Sequence, residues 1–183
     1  ADDIPASLFR RRARLTGRVV KVADGDTFRV AHLPPLSWLR RRPPPGKLSE
    51  TTLQIRIAAV DCPELPHFGA PGQAFAEAAA EFVRREIDGR RVRLKLLAID
   101  QYRRAVSTVT YRRGLRTRDL SEELLRRGLA VVYRQAGAQY DGPVARWDAI
   151  EAMARRRKVG LWASGRAAAD PAAHKREGKR GKG

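Results

Sequence analysis

The sequence predicts an α+β fold, in which five β-strands form a small closed barrel and about three helices pack around it. Five segments alternate apolar and polar residues, as half-buried strands do. Three other segments repeat apolar residues at helical spacing, and one of these follows the third strand. The chain has 183 residues and is 43% hydrophobic, which is enough for one domain with its own core.

The first three predicted strands lie on both sides of a long loop. The runs LTGRVVKVA and TFRVAHL flank Asp24-Gly25-Asp26, and Asp-Gly is the strongest short hairpin signal. Segment 33–50, LPPLSWLRRRPPPGKLSE, is rich in Pro and Arg and predicts an inserted loop. In TTLQIRIAAV, residues 51–60, the aliphatic side chains share one strand face and Arg56 lies on the other.

The second half of the chain supplies the helices and the last two strands. Segment 70–89, APGQAFAEAAAEFVRREIDG, predicts a helix with Pro71 in its first turn and Gly89 at its C-terminal cap. The runs RRVRLKLLAI and RRAVSTVTYRR predict strands, and segments 119–130 and 142–158 predict two further helices. Five strands with a helix after the third are typical of an OB-fold barrel.

The composition of the chain predicts the limits of the domain and the class of its partners. We expect one domain from residue 14 to 163, a basic lead-in at 1–13 and a disordered basic tail at 164–183. The net charge of +18 favours a polyanionic partner, either nucleic acid or an anionic membrane surface. Cys62 is the only cysteine, which excludes an internal disulfide and a multi-cysteine zinc site. No apolar stretch of the sequence is long enough to span a bilayer.

Three short segments carry ionisable residues at predicted strand ends: DGDT (24–27), RIAAVDCPE (56–64) and DQYRR (100–104). Hydrolysis of a phosphodiester needs a hard cation held by oxygen ligands, arginines on the phosphate, and a carboxylate that activates water. Asp26 and Asp61 are candidates for the metal, Arg56 and Arg104 for the phosphate, and Glu64 for the water. We expect these groups at the solvated rim of the barrel.

Each of these residues also has a plainer interpretation. Asp24-Gly25-Asp26 is also what an ordinary hairpin turn contains, and both arginines are also compatible with barrel surface charges. Asp24 and Thr27 are expected to support the metal ligands rather than to bind the metal themselves. Cys62 is expected to be a small buried residue rather than a nucleophile.

Taken jointly, the motifs resemble the staphylococcal nuclease (thermonuclease) family, from Thr16 to Trp162. The resemblance implies an SNase-like OB-fold and Ca²⁺ bound by Asp26, Asp61 and the backbone carbonyl of Cys62. It also implies hydrolysis of DNA and RNA with little sequence specificity, a preference for single-stranded or locally unpaired substrate, and 3′-phosphate products.

The resemblance also implies aromatic residues that stack on bases. At two positions the sequence departs from the family pattern. Tyr102 matches the first stacking tyrosine, whereas Tyr133 and Arg134 compete for the position of the second, for which Tyr133 is the candidate. Cys62 replaces the usual threonine, which a carbonyl ligand tolerates. Arg103 stands where the family commonly has glycine.

Within this family, the sequence is most similar to a eukaryotic branch that is anchored in membranes, often at mitochondria. The similarity rests on the 33–50 loop, the HFG motif after Pro66 and the DQYRR motif. We therefore expect a membrane tether upstream of Ala1, and a monomeric protein. The alternative function is a catalytically silent OB-fold module that only binds nucleic acid. Glu64 together with both arginines favours the enzyme, because binding alone needs the arginines but not the glutamate.

Overall fold

The structure, a computed structural model, describes residues 4–33, 51–66 and 71–163. Most of the predicted 33–50 loop, the HFG motif at 67–69 and the tail 164–183 therefore lie outside the described residues. In chain order the strands are β1 (Arg14–Val22), β2 (Thr27–His32), β3 (Leu53–Ile57), β4 (Val60–Asp61), β5 (Arg91–Ile99), β6 (Ala105–Arg113), β7 (Arg116–Asp119) and β8 (Val131–Val132). The helices are α1 (Ala6–Arg10), α2 (Ala76–Ile87), α3 (Leu120–Arg126) and α4 (Ala145–Arg156), and a 3₁₀ turn (Gly160–Trp162) follows them.

Five of the strands form a closed barrel, which confirms the predicted fold class. Strand β1 pairs antiparallel with β2 and with β5, β2 pairs with β3, and β5 pairs with β6. The parallel pairing of β3 with β6 closes the barrel. Bulges between Val19 and Lys21 in β1 and between Leu96 and Ala98 in β5 interrupt the register, and bulges help strands to bend and twist.

The barrel interior holds the main core. Phe28, Ile55 and Leu96 are fully buried there, because every second residue of each strand points inward. The lead-in contributes to the same core, since residues 6–10 form α1 and its Phe9 side chain packs into the cluster. Among the described residues, no helix is long and apolar enough to cross a membrane.

Helix α2 packs on the barrel through buried apolar side chains that include Phe82 and Val83, but it starts later than predicted. Phe75 adopts a left-handed conformation, with φ of 67°, so the helix begins at Ala76 and Pro71 lies outside it. The backbone N–H of Gln73 donates to the carbonyl oxygen of Glu64 at 2.9 Å. The segment before the helix is thus tied to the Glu64 segment as well as to the helix, because the backbone N–H of Ala76 donates to the Gln73 carbonyl oxygen at 3.1 Å.

The sequence analysis missed three strands. Strand β7 extends the sheet beside β6, and β4 and β8 form a separate two-stranded ladder in which Asp61 pairs with Val131. Each has four residues or fewer, too short for a periodic pattern. The ladder positions two of the candidate site residues, because it carries Asp61 and ends next to Tyr133.

Candidate active site

The DGDT turn between β1 and β2 is held by its own first aspartate. Asp24 Oδ1 accepts the backbone N–H groups of Asp26, at 2.9 Å, and of Thr27, at 2.7 Å. Burial and the neighbouring Asp26 charge raise the pKa of Asp24 to about 7. A Cβ on Gly25 would lie only 2.8 Å from the Cβ of Cys62 and 2.9 Å from that of Ala79, so this close packing needs glycine.

Arg56 lies on β3 directly opposite Thr27, between the two predicted metal ligands. Its Nη2 atom is 2.9 Å from Asp61 Oδ1 and 3.5 Å from Asp26 Oδ2. Burial alone would lower the pKa of Arg56, but the negative charges of Asp26 and Asp61 raise it. Arg56 therefore stays cationic, and the two carboxylates meet at one guanidinium nitrogen.

These three side chains are buried, contrary to the expectation of a solvated rim. Arg56 is 8% exposed, Asp26 is 7% exposed and Asp61 is completely buried. Sequence alternation placed Arg56 on the face opposite the aliphatic side chains, but the β4–β8 ladder and Tyr133 cover that face. The Tyr133 ring centroid is 4.5 Å from Arg56 Cζ, a cation–π distance.

Arg104 reaches the same cluster from the turn between β5 and β6. Its Nη1 atom donates to Thr27 Oγ1 at 3.0 Å, and Thr27 Oγ1 donates to Asp26 Oδ1 at 2.8 Å. Asp100 holds the arginine, because Asp100 Oδ2 accepts from Arg104 Nε at 2.7 Å. Asp100 Oδ1 also accepts the backbone N–H groups of Tyr102 and Arg104, each at 2.9 Å. The turn is thus built around Asp100 as the first turn is built around Asp24.

Glu64 is exposed on the segment that follows the buried Asp61-Cys62 pair. Its backbone N–H donates to Gln73 Oε1 at 2.8 Å, and Gln73 returns a backbone hydrogen bond to the Glu64 carbonyl. The reciprocal pair fixes the backbone of Glu64 and leaves its carboxylate outside the core. Cys62 is buried, as expected, and burial followed by the charge of Asp26 raises the pKa of its thiol. A neutral buried thiol is a poor nucleophile.

The donor set fits a hard divalent cation. Asp26 and Asp61 offer carboxylate oxygens that approach the same nitrogen of Arg56. No group of three or more His, Cys, Asp and Glu side chains suited to a metal occurs in the described parts of the chain. A cation bound by these two carboxylates would therefore need backbone or solvent oxygens as well, which suits the loose coordination of Ca²⁺.

A family model described as "Staphylococcal nuclease homologue" matches residues 54–164 of this chain. The chain belongs to the staphylococcal nuclease family. The matched range contains Arg56, Asp61, Glu64 and Arg104, whereas the DGDT turn precedes it.

Three relatives from this family are named as endonucleases. Endonuclease Htp3 of Saprolegnia parasitica is 47% identical over 163 residues, which cover 88% of this chain and 76% of that protein. Probable endonuclease LCL3 of Komagataella phaffii is 40% identical over 169 residues, covering 87% and 74%. Probable endonuclease LCL3 of Pyricularia oryzae is 43% identical, and the match covers 87% of this chain but only 64% of that protein.

Within this nuclease fold, most of the predicted site residues contact one another directly, and the others lie outside that group. Hydrogen bonds, ion pairs and the ring contact connect Asp24, Asp26, Thr27, Arg56, Asp61, Arg104 and Tyr133. Tyr102 is 65% exposed beside Arg104, with its ring centroid 5.3 Å from the guanidinium carbon. Arg134 instead binds Asp148 and Glu151 on α4, at 2.5 and 3.0 Å, so Tyr133 is the residue next to the cluster.

Sequence reasoning missed the positioning role of Asp100. The signal was available, because an aspartate two to four residues before a functional group is typical of side-chain-stabilised turns. Tyr133 was assigned to base stacking alone, and its contact with Arg56 depends on the β4–β8 pairing, which no local pattern indicated.

Proposed function

We propose that this protein is a Ca²⁺-dependent nuclease that hydrolyses phosphodiester bonds of DNA and RNA with little sequence preference. The observation that carries the proposal is the placement of Arg56 between Asp26 and Asp61, with Arg104 linked to the same cluster through Thr27. Membership of the staphylococcal nuclease family and the endonuclease names of the relatives support it.

In this proposal, Asp26, Asp61 and the carbonyl of Cys62 hold the Ca²⁺ ion. When bound, the ion would supply positive charge that polarises the phosphate. Burying a charged group is costly unless an opposite charge lies beside it. Arg56 supplies that charge in the structure described here.

Arg56 and Arg104 bind the phosphate oxygens and oppose the negative charge that develops in the transition state. Both keep several N–H donors, because a guanidinium has five. Asp100 and Thr27 fix the Arg104 guanidinium, and Tyr133 packs against that of Arg56. Such fixed donors need little rearrangement as the phosphate charge grows, which is the source of their catalytic value.

Glu64 accepts a proton from the attacking water. The water oxygen forms a bond to phosphorus, in line with the bond between phosphorus and the 5′-oxygen. That second bond breaks, and the released 5′-oxygen takes up a proton from solvent. The products are a 3′-phosphate and a 5′-hydroxyl. The exposed Tyr102 ring offers a stacking surface for a base, which favours single-stranded or locally unpaired substrate.

The test compares cleavage of supercoiled plasmid, single-stranded DNA and RNA in Ca²⁺, in Mg²⁺ and in EGTA. We expect turnover in Ca²⁺ and none in EGTA. Calorimetry without substrate should detect Ca²⁺ binding that Asp61→Asn abolishes, while Asp88→Asn, at an exposed carboxylate after α2, leaves it unchanged. Full activity in excess EGTA would overturn the metal assignment, and absence of cleavage in every condition would favour the silent binding module.

A further inference from the structure

Five arginines lie together on the outer wall of the barrel, away from the candidate site. They are Arg14 and Arg18 on β1, Arg91 and Arg93 on β5, and Arg112 on β6, and we refer to them as the wall patch. The strand register places Arg18 opposite Arg91 and Arg93 opposite both Thr16 and Thr110. Arg14, Arg91, Arg93 and Arg112 are exposed and Arg18 is half-buried, whereas Val92 and Leu94 of the alternate row are buried, so the arginines share the solvent face.

The fold does not neutralise this charge. Lys95, opposite Arg14, binds Asp141 at 2.5 Å, and Asp119, opposite Thr110, caps helix α3. Within residues 4–33, 51–66 and 71–163, no ion pair involves any member of the wall patch. Arg18 donates to the carbonyl oxygen of Gly89 at 2.9 Å, which leaves its charge uncompensated. Like charges directly opposite each other destabilise a strand pair, so folding alone does not favour this arrangement.

The spacing of the wall patch suits a chain of phosphates. Alternate residues on one strand lie roughly 6.6 Å apart and neighbouring strands about 4.8 Å apart. Threonine hydroxyls, including Thr16 and Thr110, lie between the arginines and add hydrogen-bond donors for phosphate oxygens. A duplex carries one phosphate per roughly 3.4 Å of each strand, so several successive phosphates can face the patch at once.

We propose that the wall patch binds the phosphate backbone of the nucleic acid beyond the bond that is cleaved. The inference rests on the proposed function, because it extends the same substrate along the barrel. Asp100 lies seven positions after Arg93 along the chain, which at about 3.3 Å per position is at most roughly 23 Å. A strand held at the candidate site therefore needs only a short further stretch to reach the patch.

A nucleic acid fits this surface better than an anionic membrane does. Proteins that lie on membranes combine cations with apolar side chains that enter the lipid. In the described part of the chain, the large exposed apolar side chains are Phe75, Ile99, Tyr102, Leu115, Val144 and Met153, and none lies in the rows of the wall patch. Between the arginines, the outward positions carry Thr16, Lys95, Thr108 and Thr110 instead.

Binding at the wall patch would act equally on ground state and transition state, because the patch does not touch the reacting atoms. It should therefore lower KM without changing kcat. It should also steepen the salt dependence of binding, because each contacted phosphate releases condensed counterions.

The test uses Arg14→Gln, Arg91→Gln, Arg93→Gln and Arg112→Gln combined in one protein. The matched control combines Arg10→Gln, Arg11→Gln, Arg156→Gln and Lys158→Gln, which removes equal charge from exposed positions off the patch. Fluorescence anisotropy with a labelled oligonucleotide in EGTA measures Kd at NaCl concentrations from 50 to 300 mM. Cleavage in Ca²⁺ gives kcat and KM, and thermal melts verify folding.

We expect the slope of log Kd against log salt to be smaller by about 3 in the patch variant than in wild type. Kd and KM should rise at least ~10-fold in this variant, with kcat within about twofold of wild type. The control should retain the wild-type slope. Equal changes in both variants would overturn the proposal, because only net charge would matter. Unchanged DNA binding with lost binding to phosphatidylserine vesicles would also overturn it and assign the patch to a membrane.

The binding measurement separates this proposal from the proposed function. If wild-type protein does not cleave but the patch variant alone loses its salt slope, the nuclease proposal fails and the wall patch stands. If wild-type protein cleaves and the patch variant binds normally, the wall patch fails alone.

Discussion

At the scale of single residues, Arg56 has a structural role in addition to the chemical role proposed for it. Its guanidinium lies between Asp26 and the fully buried Asp61, with Tyr133 packed against it. Removing one partner of a buried ion pair leaves an uncompensated charge, which typically costs about 3–5 kcal/mol. Arg104 differs, because it binds Asp100 in a partly exposed turn.

We therefore expect Arg56→Ala and Arg104→Ala to differ in their free energy of unfolding but to lower kcat to a similar extent. Each should lower kcat at least ~10²-fold, the usual effect of losing one fixed electrostatic group. Urea unfolding should show a loss of about 3 kcal/mol or more for Arg56→Ala, and about 1 kcal/mol or less for Arg104→Ala. Equal stability of the two variants would contradict the buried assignment of Arg56.

Arg103 carries backbone strain beside Arg104. Its φ of 61° lies in the left-handed region, which costs a residue other than glycine roughly 1 kcal/mol or more. The family commonly has glycine at this position, so the departure noted in the sequence has a conformational cost.

Arg103→Gly should accordingly be more stable than Arg103→Ala by about 1 kcal/mol in urea unfolding, because both lose the side chain but only glycine relieves the strain. The alanine variant is the control for any contacts of the arginine. An alanine variant as stable as the glycine variant would show that this φ carries no strain.

At the scale of elements, sequence patterns predicted the five barrel strands and helices α2, α3 and α4, but not α1 or the short strands β4, β7 and β8. The five barrel strands alternate over five or more residues, and the two longer helices repeat their apolar residues over three turns. Strands β4 and β8 are two residues long, and their pairing joins positions about seventy residues apart, so no local signal exists. Phe75 stopped α2 short of Pro71 because a left-handed residue cannot continue a helix.

The same distinction applies to the candidate site. Residue types within short motifs indicated Asp26, Arg56, Asp61, Glu64 and Arg104 without any structure. Burial of the Arg56 cluster, its contact with Tyr133 and the anchoring of Arg104 by Asp100 depend on elements distant in sequence. Local patterns therefore predicted the candidate groups, and tertiary packing decides the environment of each.

Helix α2 is joined to β6 by a buried carboxylate. Glu86 is 1% exposed and accepts hydrogen bonds from the Tyr111 hydroxyl, at 3.0 Å, and from Arg113. Burial alone would raise the pKa of Glu86, but the hydrogen bonds from Arg113 and Tyr111 lower it below its usual 4.5. The charged form is thus favoured in the folded state.

A lowered pKa in the folded state means that the stabilising contribution of Glu86 is complete above about pH 4.5 and is lost as the pH falls through the folded value. We expect wild type to exceed Glu86→Gln in unfolding free energy at pH 7, and the difference to shrink below about pH 4.5. Urea titrations at pH 7, 5, 4 and 3 measure it. A difference that does not depend on pH would contradict this assignment.

At the scale of the whole molecule, the net charge of +18 is spread unevenly. The candidate site balances its arginines with Asp26, Asp61 and Asp100, whereas the wall patch carries arginines without ion-pair partners among the described residues. The first arrangement is the one proposed to hold a metal and a phosphate, and the second is the one proposed to bind a polyanion over several nucleotides. The wall patch therefore contributes part of the net positive charge, whereas the candidate site, with its carboxylates, does not.

The most direct measurement is the end chemistry of a labelled single strand cleaved in Ca²⁺ by wild type and by Glu64→Gln. The account predicts fragments with 3′-phosphate and 5′-hydroxyl ends from wild type, and cleavage at least ~10²-fold slower for Glu64→Gln with folding unchanged. Fragments with 5′-phosphates that a ligase joins directly, or wild-type rates from Glu64→Gln, would contradict it.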